Sequence, residues 1–342
     1  MTKRSERIRI SKIEPNGMLA LGTRCALMFG VLLSLMAIGG FVSILKVGAQ
    51  PRIASARPNV KLPDESAGID AIARTLVAAF DQVDIVALGE VHEGKIDSGL
   101  RLAAIRNPDF VKKAPAVVIE CGSMTEQATL DDYIRGRNVP ASRLRQVWKT
   151  TRNGDGFCNS PMYPEFLAAV RDVNSGLREN SRIRVFGGEP GPADKRSTFD
   201  LLREQVLDKH QKALVIYGSA HFYLTGPADY LESIGEADIA ARLNMEYPGR
   251  TLSIIPIAAF ERPGSIRSDT EPDFGKFDRA IKTQVRPVLL SLQRAPFREL
   301  SASEFLGRTL TTCRGAEGCR SVFKGSSLTL GQMADAVVYM GH

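Results

Sequence analysis

The sequence predicts an α/β fold in three layers, in which helices cover both faces of a mostly parallel β-sheet, preceded by one N-terminal transmembrane helix. Two observations predict the layered domain. Short apolar segments rich in β-branched residues recur along the chain, and segments with helical apolar spacing separate them. The apolar segments lack polar alternation, which favours strands buried on both faces. A third observation, a charge-free run of 21 residues near the N-terminus, predicts the transmembrane helix.

The N-terminus carries most of the net positive charge of the chain. Residues 1–24 contain six basic and two acidic side chains, so they supply four of the seven net positive charges among 342 residues. No later segment interleaves dense Lys and Arg with aromatic residues, as a nucleic-acid-binding surface would. The charge distribution therefore argues against nucleic acid as a partner.

The charge-free run covers residues 25–45 and would span about 30 Å as a helix, enough to cross a bilayer. Its length favours an uncleaved anchor over a secretory signal, although the small residues at 47–49 keep cleavage open as the alternative. Because positive charge stays in the cytoplasm, residues 50–342 are expected in the periplasm or outside the cell. The predicted organisation is a cytoplasmic tail (1–24), an anchor (25–46), a linker (47–63) and one α/β domain (64–342).

Within that domain, helices and strands are predicted to alternate. Helical spacing predicts helices at 69–80, 96–105, 124–135, 161–177, 197–210 and about 227–243. Apolar segments predict strands at 83–89, 116–120, 182–188, 213–219, 251–260 and 336–341. The loops at 140–160 and 262–275 are expected to shape a pocket, but their sequences do not specify a ligand.

Four of the predicted strands end in glycine or acidic residues. The polar residues at or just after these ends are Glu90 with His92, Glu120, Glu189, and His221. Parallel strands point the same way, and ligands of such sheets bind beyond the carboxyl ends. These four strand ends are therefore expected to meet along one edge of the sheet, which we call the rim.

Two of the four histidines in the chain, His92 and His221, belong to the rim. His210 lies in a polar segment and His342 is the last residue, so neither is expected to take part. Imidazole beside carboxylate suits general acid–base catalysis, but the same groups suit a divalent metal, and spacing does not decide between them.

Three of the rim residues also have a structural interpretation when each is taken singly. Glu90 would suit the first turn of a helix, Glu120 would suit a buried carboxylate satisfied by amides or an arginine, and His221 would suit a hydrogen-bonded core histidine. Together at one rim, Glu90, His92, Glu120 and His221 favour a functional site.

The motifs ALGEVHEG, LRLAAIRNPDF, VVIECG and IYGSAHFY together resemble the erythromycin-esterase-like and ChaN-like superfamily, with the Tiki/TraB peptidases as remote relatives. The resemblance covers about residues 80–225, with a weaker similarity in the terminal segment ADAVVYMG. It implies a three-layer α/β fold and functional roles for Glu90, His92, Glu120 and His221. Glu189 departs from the pattern, since the relatives tend to have aspartate in a GDPP-like turn where this chain has GEPG. Members differ in chemistry, so fold and site transfer better than reaction.

The leading functional hypothesis is a hydrolase of ester or related acyl bonds, acting on a small molecule or peptide. His92 would act as general base, Glu90 or Glu120 would orient it, and His221 would stabilise negative charge or protonate the leaving group. No G-x-S-x-G elbow occurs, so a serine nucleophile at Ser219 is the lesser option.

Three alternatives stay open. Glu90, His92, Glu120 and His221 could instead hold a metal such as Mn²⁺ or Zn²⁺ in a metal-dependent hydrolase or peptidase. The chain could be a non-enzymatic module for haem or another ligand, with the aromatic residues of HFYL flanking a porphyrin. It could also be a degenerate member that keeps only the fold.

The cysteines suggest disulfides, because the domain is expected in an oxidising compartment. Cys313 and Cys319 enclose a short loop, and Cys121 and Cys158 form the other possible pair. Connectivity stays open at this point, and buried free thiols are the alternative, above all for Cys121.

Overall fold

The computed structural model of the chain describes residues 60–92, 94–191, 196–227, 239–257, 272–306, 311–313, 319–321, 323 and 325–341. All of them belong to one compact unit. The predicted tail and anchor, and nearly all of the linker, lie outside these residues. Among the residues described, no helix is both long enough and apolar enough to cross a membrane.

The centre of the fold is an eight-stranded sheet. Its strands, in chain order, are β1 (Glu65–Ala67), β2 (Ile85–Glu90), β3 (Ala116–Ser123), β4 (Arg184–Glu189), β5 (Ala213–Gly218), β6 (Thr251–Ile257), β7 (Val288–Ser291) and β10 (Ala336–Tyr339). Two further strands, β8 (Thr311–Cys313) and β9 (Cys319–Ser321), form a separate antiparallel pair. The order across the sheet is β1-β7-β10-β6-β2-β5-β3-β4. The six strands from β10 to β4 are parallel, and β7 runs antiparallel to both of its neighbours.

The helices divide between the two faces of the sheet in chain order. Those on the first face are α1 (Ile69–Ala79), α2 (Lys95–Arg106), α3 (Phe110–Lys113), α4 (Gln127–Ile134), α5 (Ala141–Leu144), α6 (Gln146–Lys149) and α7 (Met162–Ser175). Those on the second face are α8 (Thr198–Leu202), α9 (Ile239–Glu246), α10 (Gly275–Ala280), α11 (Ala302–Leu306) and α12 (Leu330–Met333). The predicted α/β fold with helices on both faces of a mostly parallel sheet is thus confirmed; the sheet is mixed, with six of its eight strands parallel.

The alternation of side chains along a strand explains the two cores. In β2, Ile85 and Ala87 belong to the core under α8–α12, whereas Val86 and Leu88 belong to the core under α1–α7. Every residue of β2 is buried, because the sheet is covered on both sides. This is why the strand reads in sequence as an uninterrupted apolar run.

Each predicted strand is present, and the differences concern short elements. β1 and β7 have only three and four residues, too few to give a periodic signal. The helix predicted at 197–210 is α8 followed by a π-helical turn at Arg203–Leu207. The predicted loop at 140–160 contains α5, α6 and a 3₁₀ turn at Phe157–Asn159, whereas most of the loop predicted at 262–275 lies outside the described residues.

A disulfide joins Cys121 of β3 to Cys158 in the segment before α7. One of the pairings left open by the sequence is therefore confirmed, and the alternative of a free thiol at Cys121 is wrong. In β8 and β9, Cys313 and Cys319 are directly opposed positions of the backbone ladder.

Candidate active site

The rim is formed by neighbouring strands, as the topology requires. β2, β5, β3 and β4 are adjacent and parallel, so their carboxyl ends lie side by side. Glu90 and Glu189 are the last residues of β2 and β4, and Glu120 lies near the end of β3. His92 lies two residues beyond β2, and His221 lies in a 3₁₀ turn that directly follows β5.

Glu90 is a buried carboxylate held on several sides. Nη1 of Arg101 lies 2.7 Å from its Oε2, and the Tyr163 hydroxyl donates to its Oε1 at 2.7 Å. Nδ1 of His92 lies 3.2 Å from the same Oε1. Burial alone would raise the pKa of Glu90, but the His92 hydrogen bond and the Arg101 charge outweigh it and leave the pKa below its usual value. Glu90 is therefore an ionised acceptor.

The contact with Glu90 sets the tautomer of His92. An ionised carboxylate can only accept, so Nδ1 of the imidazole carries a proton and donates it. In the neutral ring, Nε2 then keeps its lone pair. The ring also stacks on Phe157, with centroids 3.5 Å apart and planes inclined by 13°.

Glu120 lies between the two histidines of the rim. Its Oε2 is 3.7 Å from Nε2 of His92, and its Oε1 is 3.8 Å from Nε2 of His221. Both separations exceed direct hydrogen-bond length. The backbone N–H of Gly218 donates to Oε2 at 2.7 Å and fixes the carboxylate. A Cβ at position 218 would lie 2.8 Å from Nε2 of His92, so only glycine allows this approach.

Glu189 is buried at the fourth strand end. Within the described part of the chain its Oε2 makes no hydrogen bond, and Nε of the largely exposed Arg152 is 3.9 Å away. Burial, followed by the charge of Glu120, raises the pKa of Glu189 to about 7, against the lowering effect of Arg152.

Two buried ionisable side chains on α2 belong to the site and were missed in the sequence. Arg101 pairs with Glu90, and Oδ2 of Asp97 accepts the backbone N–H of Val91, between Glu90 and His92. Burial, followed by the charge of Glu90, raises the pKa of Asp97 to about 8. Asp97 and Arg101 are four residues apart, so they share the buried face of α2. Two ionisable side chains at that spacing on the buried face of the predicted helix were the available signal.

Two aromatic residues of the site gave no signal in the sequence. Tyr163 is the second residue of α7 and Phe157 lies in the 3₁₀ turn before it, both far along the chain from His92. Their position depends on how α7 packs against the sheet, which local patterns do not encode.

The other residues considered in the sequence do not lie among the polar side chains of the rim or are outside the described residues. His210 is exposed, as expected for a solvated helix end, and His342 lies outside the described residues. Phe222 and Tyr223 of HFYL are fully buried in the core under α8–α12, so they do not face the rim as flanks for a porphyrin.

A metal site would need at least three donors grouped together. Among the described residues, no three His, Cys, Asp or Glu side chains are arranged so that they could hold a metal ion. At the rim, each histidine faces one oxygen of Glu120, at 3.7 Å for His92 and 3.8 Å for His221.

No family model matches this sequence, and neither does any curated protein. Among solved structures, a Bacillus cereus protein is similar at 14% identity, over 81% of this chain and 92% of that chain, with a TM-score of 0.51. An erythromycin esterase mutant in its open conformation is similar at 12% identity, over 80% of this chain and 93% of that chain, with a TM-score of 0.47. At these identities, the likeness to the Bacillus cereus protein shows a shared fold.

Proposed function

We propose that this chain is a hydrolase of ester or related acyl bonds, with His92 as its general base. The observation that carries the proposal is the buried carboxylate of Glu90, 3.2 Å from Nδ1 of His92 and fixed by Arg101 and Tyr163. A carboxylate in this position holds the imidazole in one tautomer and stabilises the imidazolium once it forms.

The first step of the proposed reaction is the attack of water on the acyl carbon. Nε2 of His92 takes one proton from the attacking water, and the new C–O bond converts the carbonyl into a tetrahedral oxyanion. The charge of Glu90 offsets the positive charge gained by the ring. A base placed in this way typically contributes about 10²–10⁴-fold to the rate.

The second step is departure of the leaving group. His221, whose Nε2 faces Oε1 of Glu120 at 3.8 Å, stabilises the oxyanion that the first step has formed. The C–O bond to the leaving group then breaks, and that oxygen receives the proton held by His92. The products are a carboxylic acid and an alcohol, and both histidines return to their starting states.

The proposed site lies in a membrane-anchored domain outside the cytoplasm. The basic tail and the apolar run at 25–45 support the anchor, and the disulfide Cys121–Cys158 supports an oxidising compartment. Fractionation of cells expressing the full chain, followed by protease treatment of intact cells or spheroplasts, tests both. Recovery of a protease-resistant chain in the cytosol would contradict them.

A panel of ester and lactone substrates, presented to the purified full chain, tests the proposed reaction. We expect turnover that His92→Ala and His221→Ala each abolish, with the far-UV circular dichroism unchanged. His210→Ala is the matched control, because His210 is exposed and lies outside the rim. Activity at the wild-type level in His92→Ala would remove the general base from the mechanism.

Elemental analysis and an absorption spectrum of the same preparation address the alternatives. Stoichiometric metal or haem that is lost from a His92→Ala/His221→Ala double variant would make both histidines ligands and displace the proposed mechanism. Turnover that survives chelation supports it.

A further inference from the structure

Phe157 makes the closest aromatic contact of the site, yet it has no role in the proposed hydrolysis. Its ring covers one face of the His92 imidazole at 3.5 Å, nearly parallel to it. The residue opens the 3₁₀ turn Phe157–Asn159, within a segment that joins α6 to α7 without other regular structure. Loop segments of this kind are ordinarily the more mobile parts of a domain.

A covalent bond ties this segment to the rim. Cys158 directly follows Phe157, and Cys121 directly follows Glu120, so the disulfide joins the neighbours of two residues that contact His92. The two cysteine Cα atoms are 5.2 Å apart, and both residues are buried. The chain at Phe157 therefore cannot move away from the end of β3.

The imidazole needs such a neighbour because its other restraints leave one motion free. The contact of Nδ1 with Glu90 fixes one end of the ring, but the ring can still tilt about that contact. A flat aromatic surface at 3.5 Å blocks the tilt on one side. An aromatic face also favours the charged imidazolium that a general base becomes.

We propose that Phe157 is a positioning residue for His92, and that the Cys121–Cys158 disulfide holds Phe157 in place. The inference rests on the proposed function, since it gives His92 the role of general base. It predicts that activity depends on an oxidised disulfide whose cysteines take no part in the chemistry.

Histidine NMR tests the stack without any substrate. The full chain has only four histidines, so ¹³C labelling at Cε1 of the imidazole rings yields four signals, and His92→Gln assigns one of them. In the wild type, stacking on Phe157 displaces the His92 signal by ring current. We expect Phe157→Leu to abolish the displacement and Phe157→Tyr to keep it.

The disulfide is tested with Cys121→Ala/Cys158→Ala, in which we expect the displacement to be lost. Fluorescence of Trp148, the single tryptophan, shows whether that variant folds, and Cys121→Val/Cys158→Ala serves as a second, better-filled variant. A folded variant with an unchanged His92 signal would overturn the role of the disulfide. If neither variant folds, Phe157→Leu, which keeps the disulfide, still decides the positioning role.

Steady-state kinetics then distinguish a positioning role of Phe157 from a purely structural one. For a substrate found in the panel above, we expect Phe157→Leu to lower kcat by on the order of 10- to 100-fold, as a displacement of about 1 Å of a catalytic group can. KM should change little, and Phe157→Tyr should restore kcat. A lost stack with an unchanged kcat would overturn the inference. A protein with the stack but no ester or lactone turnover would instead contradict the proposed function.

Discussion

The hydroxyl of Tyr163 donates a hydrogen bond of 2.7 Å to Oε1 of Glu90, the same oxygen that faces Nδ1 of His92. Burial and the charge of Glu90 raise the pKa of Tyr163, so the hydroxyl keeps its proton and remains a donor. With Arg101 on the other oxygen, the carboxylate cannot turn away from the histidine. The site thus depends on a helix, α7, that supplies no group to the proposed reaction itself.

Tyr163→Phe removes this donor and keeps the ring. A hydrogen bond to a charged group contributes about 1.5–3 kcal/mol, so we expect the free energy of unfolding to fall by roughly that amount. The rate kcat should also fall, because Glu90 orients His92 less firmly. Urea denaturation and kinetics measure the two effects. Tyr133→Phe is the matched control, since the Tyr133 ring contacts Arg171 and its hydroxyl makes no hydrogen bond among the described residues.

Glu90→Gln leaves the charge of Arg101 buried without its partner. Both side chains are about 4% exposed, and breaking such a pair on one side typically costs about 3–5 kcal/mol. We expect a loss of that size in the free energy of unfolding, and the double variant Glu90→Gln/Arg101→Met should recover a large part of it. Asp132→Asn, which breaks the exposed pair with Arg137, should change stability little. Additive effects of the Glu90 and Arg101 changes would contradict the coupling.

The central strands could be predicted because each is buried on both faces and therefore apolar throughout. The rim residues Glu90, Glu120 and His221 could be predicted for a related reason, since parallel strands bring their carboxyl ends together whatever the helices do. In contrast, β7 was not predicted. It has only four residues and is antiparallel to its neighbours, so neither the length of its apolar segment nor an alternation of polar and apolar residues identifies it as a strand.

The partners of the rim residues could not be predicted in the same way. Tyr163 contacts Glu90 across 73 positions of sequence, and only the packing of α7 brings them together. The position of Phe157 depends in addition on the Cys121–Cys158 disulfide. The sequence allowed three pairings of four cysteines and did not decide between them. Arg101 was also missed, although a charge on the buried face of α2 implies a buried partner.

Asp97 predicts how stability depends on pH. Its pKa is raised to about 8 in the folded protein by burial and by Glu90, whereas an unfolded chain releases that proton near the usual value of 3.8. Between these values the folded protein binds the proton and the unfolded chain does not. The contribution to stability is therefore fully present at low pH and is lost as pH rises towards about 8.

Asp97→Asn should flatten this dependence by up to about 1.4 kcal/mol per pH unit. Burial also raises the pKa of Glu189, to about 7, so the interval between pH 7 and 8 is the most specific to Asp97. Urea denaturation at pH 5, 6, 7 and 8 measures the slope. Asp109→Asn is the control, because Lys112 lowers the pKa of that exposed carboxylate away from this range. An identical slope in wild type and Asp97→Asn would show that Asp97 is ionised in the folded protein.

Gly218→Ala tests whether the space beside Nε2 of His92 is needed. The backbone at Gly218 has φ of −52°, which alanine adopts freely, so any effect arises from the added methyl group. That Cβ would lie 2.8 Å from Nε2 of His92 and must displace the ring, since the backbone of β5 is fixed in the sheet. We expect kcat to fall by about 10- to 100-fold.

Gly176→Ala is the matched control for this change. The residue ends α7, and a Cβ there would lie 3.8 Å from its nearest neighbour, an ordinary contact. Its kcat should equal that of the wild type. If Gly218→Ala retains full activity while NMR shows that the His92 ring has moved, Nε2 is not at the reacting centre. His221, on the other side of Glu120, would then be the remaining candidate for the base.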